Sequence, residues 1–174
     1  MRPKFIVFML LIVVSKAVGA SESFSYQTKW CDFAIDYEGV PAVVLPLTET
    51  KQPPLFYLIK FSGSEYDINF MCELNSLRIR PTKSQMCKQM MNGALDVNGE
   101  LVDCFYKEDP NYVMATGFFR IPYQTGGNFL SIEKVWISDR SKFTLQFFDL
   151  GLGSERQIKE FAKAVKAVRA VGPR

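Results

Sequence analysis

The sequence predicts an α+β domain, an antiparallel sheet of about six to eight strands with a mid-chain helix and a C-terminal helix packed on it. Three observations carry this prediction. Short runs with period-two alternation recur along the chain between turn residues, as half-buried strands require. Two segments switch to helical spacing, one after Thr82-x-x-Gln85 and one after Ser154-x-x-Gln157, both capping-box patterns. The chain of 174 residues is 48% apolar and 14% aromatic with 15 Phe, a composition that fills a core and excludes a disordered chain.

The first twenty residues read as an export signal. Arg2 and Lys4 precede the apolar run Phe5 to Val14, and Ser15 to Ala20 is rich in small residues. The run is about half of the roughly 20 residues that span a bilayer, so it is expected to be cleaved after Ala20. Residues 1–20 are thus a signal peptide and 21–174 a single α+β domain, exported to a bacterial periplasm or secreted. No later stretch is apolar for long enough to span a membrane. With Arg2, Lys4 and Lys16 gone, the 21 basic residues fall to 18, matching the 18 acidic ones. A neutral mature chain lacks the positive field of a nucleic-acid binder, so nucleic acid is not an expected partner.

Along the domain, Trp30 to Tyr37 alternates as a strand and Glu38-Gly39 turns it. Val40 to Leu47 contains Pro41 and Pro46, which suits a short edge strand. Leu55 to Phe61 reads as a central strand, and Tyr66 to Leu74 alternates strictly after Ser62-Gly63-Ser64. Met86, Met90 and Ala94 recur at helical spacing, with Asn92-Gly93 as the expected stop. Leu101 to Tyr106, Tyr112 to Ile121, Phe129 to Ile137 and Phe143 to Phe148 follow with short connections, as antiparallel hairpins. Gly117 marks a bulge or a close approach. In the last helix Ile158, Phe161, Ala162, Val165 and Val168 form an apolar stripe, and Gly172-Pro173 ends it. That stripe suits a helix lying on its own sheet.

Four cysteines, Cys31, Cys72, Cys87 and Cys104, lie beyond the signal, and an even number in an exported chain predicts two disulfides. Three connectivities are open. Alternation places Cys31 with Phe33 and Ile35, Cys72 with Ile68 and Phe70, and Cys104 between Val102 and Tyr106, so these three face a core. Cys87 stands one position off its helical stripe and could reach a strand beneath.

The element order resembles the PsbP-like families, which include the DcrB-like periplasmic proteins. The resemblance rests on the aromatic opening FSYQTKWCDFAIDY, the mid-chain helix, the hairpins and the ending KFTLQFFDLGLGSERQIKEFAKAV. The Pro-x-x-Trp usual in those families after the first strand is absent, since Gly39-Val40-Pro41 is followed by Ala42-Val43. The resemblance implies a small non-catalytic domain that binds or assists other proteins, and it transfers no functional residue.

Chemistry leaves few traces. The chain contains no His, which removes imidazole bases and ligands, and no S-x-x-K or G-x-S-x-G pattern replaces them. No cofactor or metal is expected. The close acid pairs Asp32/Asp36, Glu65/Asp67 and Glu108/Asp109 read as solvated charge. Arg78 and Arg80, on one strand face, and Lys83 at a helix start could converge on an anion. The hairpin loop Pro122 to Asn128 carries Tyr123 and Gln124 at its tip, with Phe129 beside it, as a contact surface. Phe118 and Phe119 point to opposite faces, so an uncovered face would leave an aromatic patch. The expected function is an exported, non-catalytic binding or accessory protein, acting through a sheet face or hairpin loop on a protein or small ligand. The alternatives are a secreted effector or inhibitor, and a His-free hydrolase using carboxylates.

Overall fold

The alternating segments build two layers of sheet. The computed structural model describes residues 23–45, 56–62, 66–122, 126–149 and 154–171. The signal segment, the loop from Thr48, the turn at Gly63-Ser64, the hairpin tip from Tyr123 to Thr125, Gly151 to Gly153 and Gly172-Pro173 lie outside the described residues. In chain order the elements are β1 (Ser23–Tyr26), β2 (Phe33–Glu38), β3 (Val43–Leu45), β4 (Phe56–Ser62), β5 (Tyr66–Leu74), α1 (Lys83–Asp96), β6 (Glu100–Glu108), β7 (Val113–Pro122), β8 (Asn128–Ile137), β9 (Ser141–Asp149), α2 (Ser154–Lys166) and β10 (Val168–Ala170). Seven strands form an antiparallel sheet in the order β3-β4-β5-β9-β8-β7-β6. A second sheet, β1-β2-β10, is separate from it.

The main core lies between the two sheets. Alternate residues of one face, Tyr57, Ile59 and Phe61 on β4, Ile68 and Phe70 on β5, and Phe143, Leu145 and Phe147 on β9, meet Phe33, Ile35 and Tyr37 from β2. The disulfide Cys31–Cys72 joins the two layers in this core. A second cluster forms on the opposite face, where Met86, Met90 and Ala94 of α1 pack on Val113, Ala115 and Phe119 of β7 and Val135 and Ile137 of β8. The disulfide Cys87–Cys104 ties α1 to β6 there. The Thr82 hydroxyl accepts from the Gln85 N–H while the Gln85 side chain accepts from the Thr82 N–H, so the predicted capping box starts α1.

Four local expectations are corrected. The first strand begins at Phe33 rather than Trp30 and belongs to the second sheet, flanked by β1 and β10. α1 runs through Asn92-Gly93 to Asp96, because burying Ala94 outweighs the cost of one helical glycine. It stops at the next Asn-Gly pair, where Asn98 takes φ 56° and the Gly99 N–H bonds the Ala94 carbonyl at 2.8 Å. α2 ends at Lys166, and Val168–Ala170 becomes β10 by pairing with Phe33–Ile35. Its buried face is accordingly rotated: Ala164 is buried, Phe161 and Val165 are half-buried, and Ile158 and Ala162 are exposed.

Gly117 is a close approach and not a bulge. A Cβ there would lie 2.9 Å from the Met90 sulfur and 2.8 Å from the Phe119 ring. The irregularity sits on the partner strand, between Leu101 and Asp103 of β6.

Candidate functional site

The second layer does not extend over the whole main sheet, and the uncovered end forms the candidate site. Register sets the rows on the face that carries the main core. Asp103, Phe118, Ile132 and Phe147 form one row across β6, β7, β8 and β9, and Phe105, Thr116, Lys134 and Leu145 form the next. Phe147 and Leu145 are fully buried, and Phe161 of α2 meets Phe147 edge-on at 6.3 Å. Toward β6 the cover stops. Phe105 is 58% exposed and stands edge-on to Phe118 at 5.9 Å. Ile158, near the start of α2, which the helical stripe would have buried, is 60% exposed at the rim. Val102, Phe105, Phe118, Leu130, Ile132 and Ile158 line a shallow hollow of about 390 Å³. Such a contiguous apolar surface is how interaction sites differ from scattered exposed apolar residues.

The charged groups that line this hollow are Asp103 and Arg120, one of each sign. Lys134 lies in the Phe105 row, and its ammonium sits 5.3 Å from the Trp136 ring. Burial lowers the Lys134 pKa, and the neighbouring charge of Lys107 lowers it further. On the other side Arg120 is held by Glu100 at 2.9 Å.

The residues singled out in the sequence do not gather at one place. Phe129 is half-buried on β8 on the opposite face, 6.4 Å from Phe148. Tyr123 and Gln124 fall outside the described residues. Arg78 and Arg80 are not on a strand, because β5 ends at Leu74 and Arg78 takes φ 51° in the following turn. The Arg80 guanidinium donates to both carboxylate oxygens of Asp139, at 2.7 and 2.9 Å, and to the Pro110 carbonyl at 2.7 Å. Asp139 raises the Arg80 pKa through these bonds and is itself held below the usual carboxylate range. Lys83 is exposed at the start of α1.

Of the acid pairs, Asp32 and Asp36 have different surroundings, and Glu65 lies outside the described residues. Asp32 is not solvated. It accepts from the Arg140 guanidinium, and from the Ser138 hydroxyl at 2.6 Å, with its side chain only 13% exposed. Asp36 is exposed and accepts from Ser25 and Arg169, both at 2.6 Å. Asp67 pairs with Lys60 at 2.9 Å, and Asp109 accepts from the Asn111 N–H within a turn. The exposed apolar surface that the sequence did not single out is Phe105, Val102, Leu130 and Ile158. Its signal in the sequence is the Phe118-Phe119 pair, which puts an aromatic on each face of the strand so that an uncovered face leaves a patch.

Taken together, two antiparallel sheets with one helix on each side of the larger define a PsbP-like α+β fold. The chain is similar to the solution structure of the cyanobacterial PsbP protein, CyanoP, from Synechocystis sp. PCC 6803. The TM-score is 0.65 at 11% identity, over 88% of this chain and 95% of that one. It is similar also to the crystal structure of PA94, a protein of unknown function from Pseudomonas aeruginosa, with a TM-score of 0.50 at 8% identity over 87% and 97% of the two chains. No family model matches the chain, and no curated protein sequence does. The likeness is one of fold, and no residue role passes through it. Among the described residues no helix is long and apolar enough to cross a membrane.

Proposed function

We propose that this chain is an exported, non-catalytic accessory protein that holds a partner protein at the open end of its main sheet. The observation that carries the reading is the exposed cluster of Phe105, Val102 and Ile158 around Phe118, on a sheet whose other half is fully covered on that face. The partner segment is apolar, to fill the hollow. Two disulfides support an oxidising compartment. The PsbP-like fold shared with CyanoP supports a small accessory protein.

A photo-crosslinking amino acid placed at position 105 tests this in the producing cell. A single discrete adduct is expected from position 105 and none from position 88, which is exposed on α1. The substitution Phe118→Asp should abolish that adduct while leaving the fold's circular dichroism unchanged. Equal crosslinking from both positions, or none from position 105, overturns the reading. The mass of the purified protein tests export separately: cleavage after Ala20 and the loss of four hydrogens are expected.

A further inference from the structure

On the opposite face of the main sheet, α1 does not close completely on the strands beneath it. A groove of about 330 Å³ remains, with Met86, Met90, Phe119 and Phe148 among its walls and Glu133, Gln146, Lys142, Gln89 and Ser131 as its polar groups. Register explains its floor. Cys104, Gly117, Glu133, Gln146 and Asn69 lie in one row across β6, β7, β8, β9 and β5. Gly117 has no side chain, so Met90 and Phe119 settle over it beside Glu133 and become walls of the groove. The Cys87–Cys104 disulfide at the end of the row holds α1 over this floor.

The row is rich in acceptors. Gln146 donates from Nε2 to Glu133 Oε2 at 2.9 Å, which is the carboxyl group's hydrogen bond among the described residues. Lys142, the cationic group lining the groove, is tied to Glu73 at 2.7 Å. Asn69, next in the row, has a buried Oδ1 with no donor. α1 contributes Gln89 and no charged side chain to the lining. Burial pushes the Glu133 carboxyl above its ordinary value, although the Gln146 bond and the Lys142 charge pull it down. An acid in an apolar groove without its own hydrogen-bonded cation is a cost that a ligand can remove.

We propose that this groove binds a small primary amine in its protonated form. The ammonium donates to Glu133, and a short apolar body lies against Met86, Met90, Phe119 and Phe148. Thioethers adapt to varied apolar shapes, and aromatic faces tolerate a neighbouring cation, so the walls suit such a ligand. The volume stands at the low end for small-molecule sites, which limits the ligand to a compact amine. An anion would meet Glu133 unfavourably, and a neutral alcohol would leave the carboxyl group without a hydrogen-bonded cation. This site is separate from the open patch and does not rest on the reading given for it.

The test uses the oxidised mature protein with isotope-labelled methionine methyl groups, titrated near neutral pH with n-hexylammonium, hexanol and hexanoate. Saturable shifts of the Met86 and Met90 methyl resonances are expected with n-hexylammonium, weaker ones with hexanol and none with hexanoate. Glu133→Gln should weaken n-hexylammonium binding about tenfold and leave hexanol unchanged. Phe118→Asp, on the other face, should change neither. Hexanol or hexanoate binding as tightly as the amine overturns the proposal. So does an unaltered amine affinity in Glu133→Gln, or methionine resonances that do not move. Should Glu133→Gln fail to fold, the order of the three ligands on the wild-type protein decides the matter.

Discussion

Asp32 and Asp36 are four positions apart, and alternation gives them the same exposed role. The folded chain separates them completely. Asp32 collects Arg140 and Ser138 from the β8–β9 turn, and its N–H bonds the buried Ser141 hydroxyl at 3.0 Å. Removing its carboxyl leaves the half-buried Arg140 guanidinium without this acceptor, while the Ser138 hydroxyl keeps the Ser141 carbonyl at 3.1 Å. Asp32→Ala should therefore cost about 1–3 kcal/mol in urea denaturation. Asp36 is held on the surface by Ser25 and Arg169, and Asp36→Ala should cost only about 0–1 kcal/mol. Equal losses would show that the Asp32 network is not structural. A sequence cannot separate the two because the partners of Asp32 lie more than a hundred residues away. Gly117 was legible as a special position, but its reason, the Met90 sulfur and the Phe119 ring above it, needed the helix in place.

At the scale of elements, the strands were legible because one face of each is buried and side chains alternate. β4 through β9 fall within a few residues of their predicted spans. Ends and edges were less so. Asn92-Gly93 and Asn98-Gly99 are the same dipeptide, and only the packing of Ala94 selects the second as the stop of α1. Val168–Ala170 continues a helical pattern, yet it is captured by the free edge of β2. Each disulfide does the work of one interface. The chain-entropy argument gives about 3 kcal/mol for Cys87–Cys104 and about 4 kcal/mol for Cys31–Cys72, whose separations are 17 and 41 residues. Cys87→Ser with Cys104→Ser should thus lower stability by about 3 kcal/mol and loosen α1 first. Amide hydrogen exchange is expected to speed up in residues 83–96 while β4, β5 and β9 stay protected. Uniform loss of protection would mean that α1 is not a separately held element.

At the scale of the molecule, three carboxyl groups set opposite pH trends. Asp36 is held low, chiefly by the Ser25 hydrogen bond and then by Arg169, and Asp139 is held low by Arg80. Their contributions are present above the unfolded carboxylate range and are lost as pH falls through their depressed folded values. Glu133 runs the other way. Its folded value is raised by burial, so the native state binds the extra proton. Stability from that group is complete below about pH 4.3 and is lost as pH rises through the folded value. Glu133→Gln should consequently flatten the decline in stability from weakly acid to neutral pH and raise the melting temperature near neutrality. An unchanged pH profile in that variant would show that the carboxyl is solvated in the groove.

The candidate site follows the same division. Phe105 and Phe118 alternate like core residues, and nothing in the chain tells one uncovered end of a sheet from its covered end. Exposure there depends on how far α2 and the three-stranded sheet reach, and that depends on where α2 stops. The sequence by itself determined the α+β class, most strand positions, the α1 cap and the residues available for disulfides. Those follow from local periodicity, propensity and composition, which act within a few residues. Only the tertiary structure decided the second sheet, the cysteine pairing, the face of α2, the partners of Asp32 and the two hollows on either side of the main sheet. Each of these depends on contacts between residues distant in the chain, where burial and register select among locally equivalent alternatives.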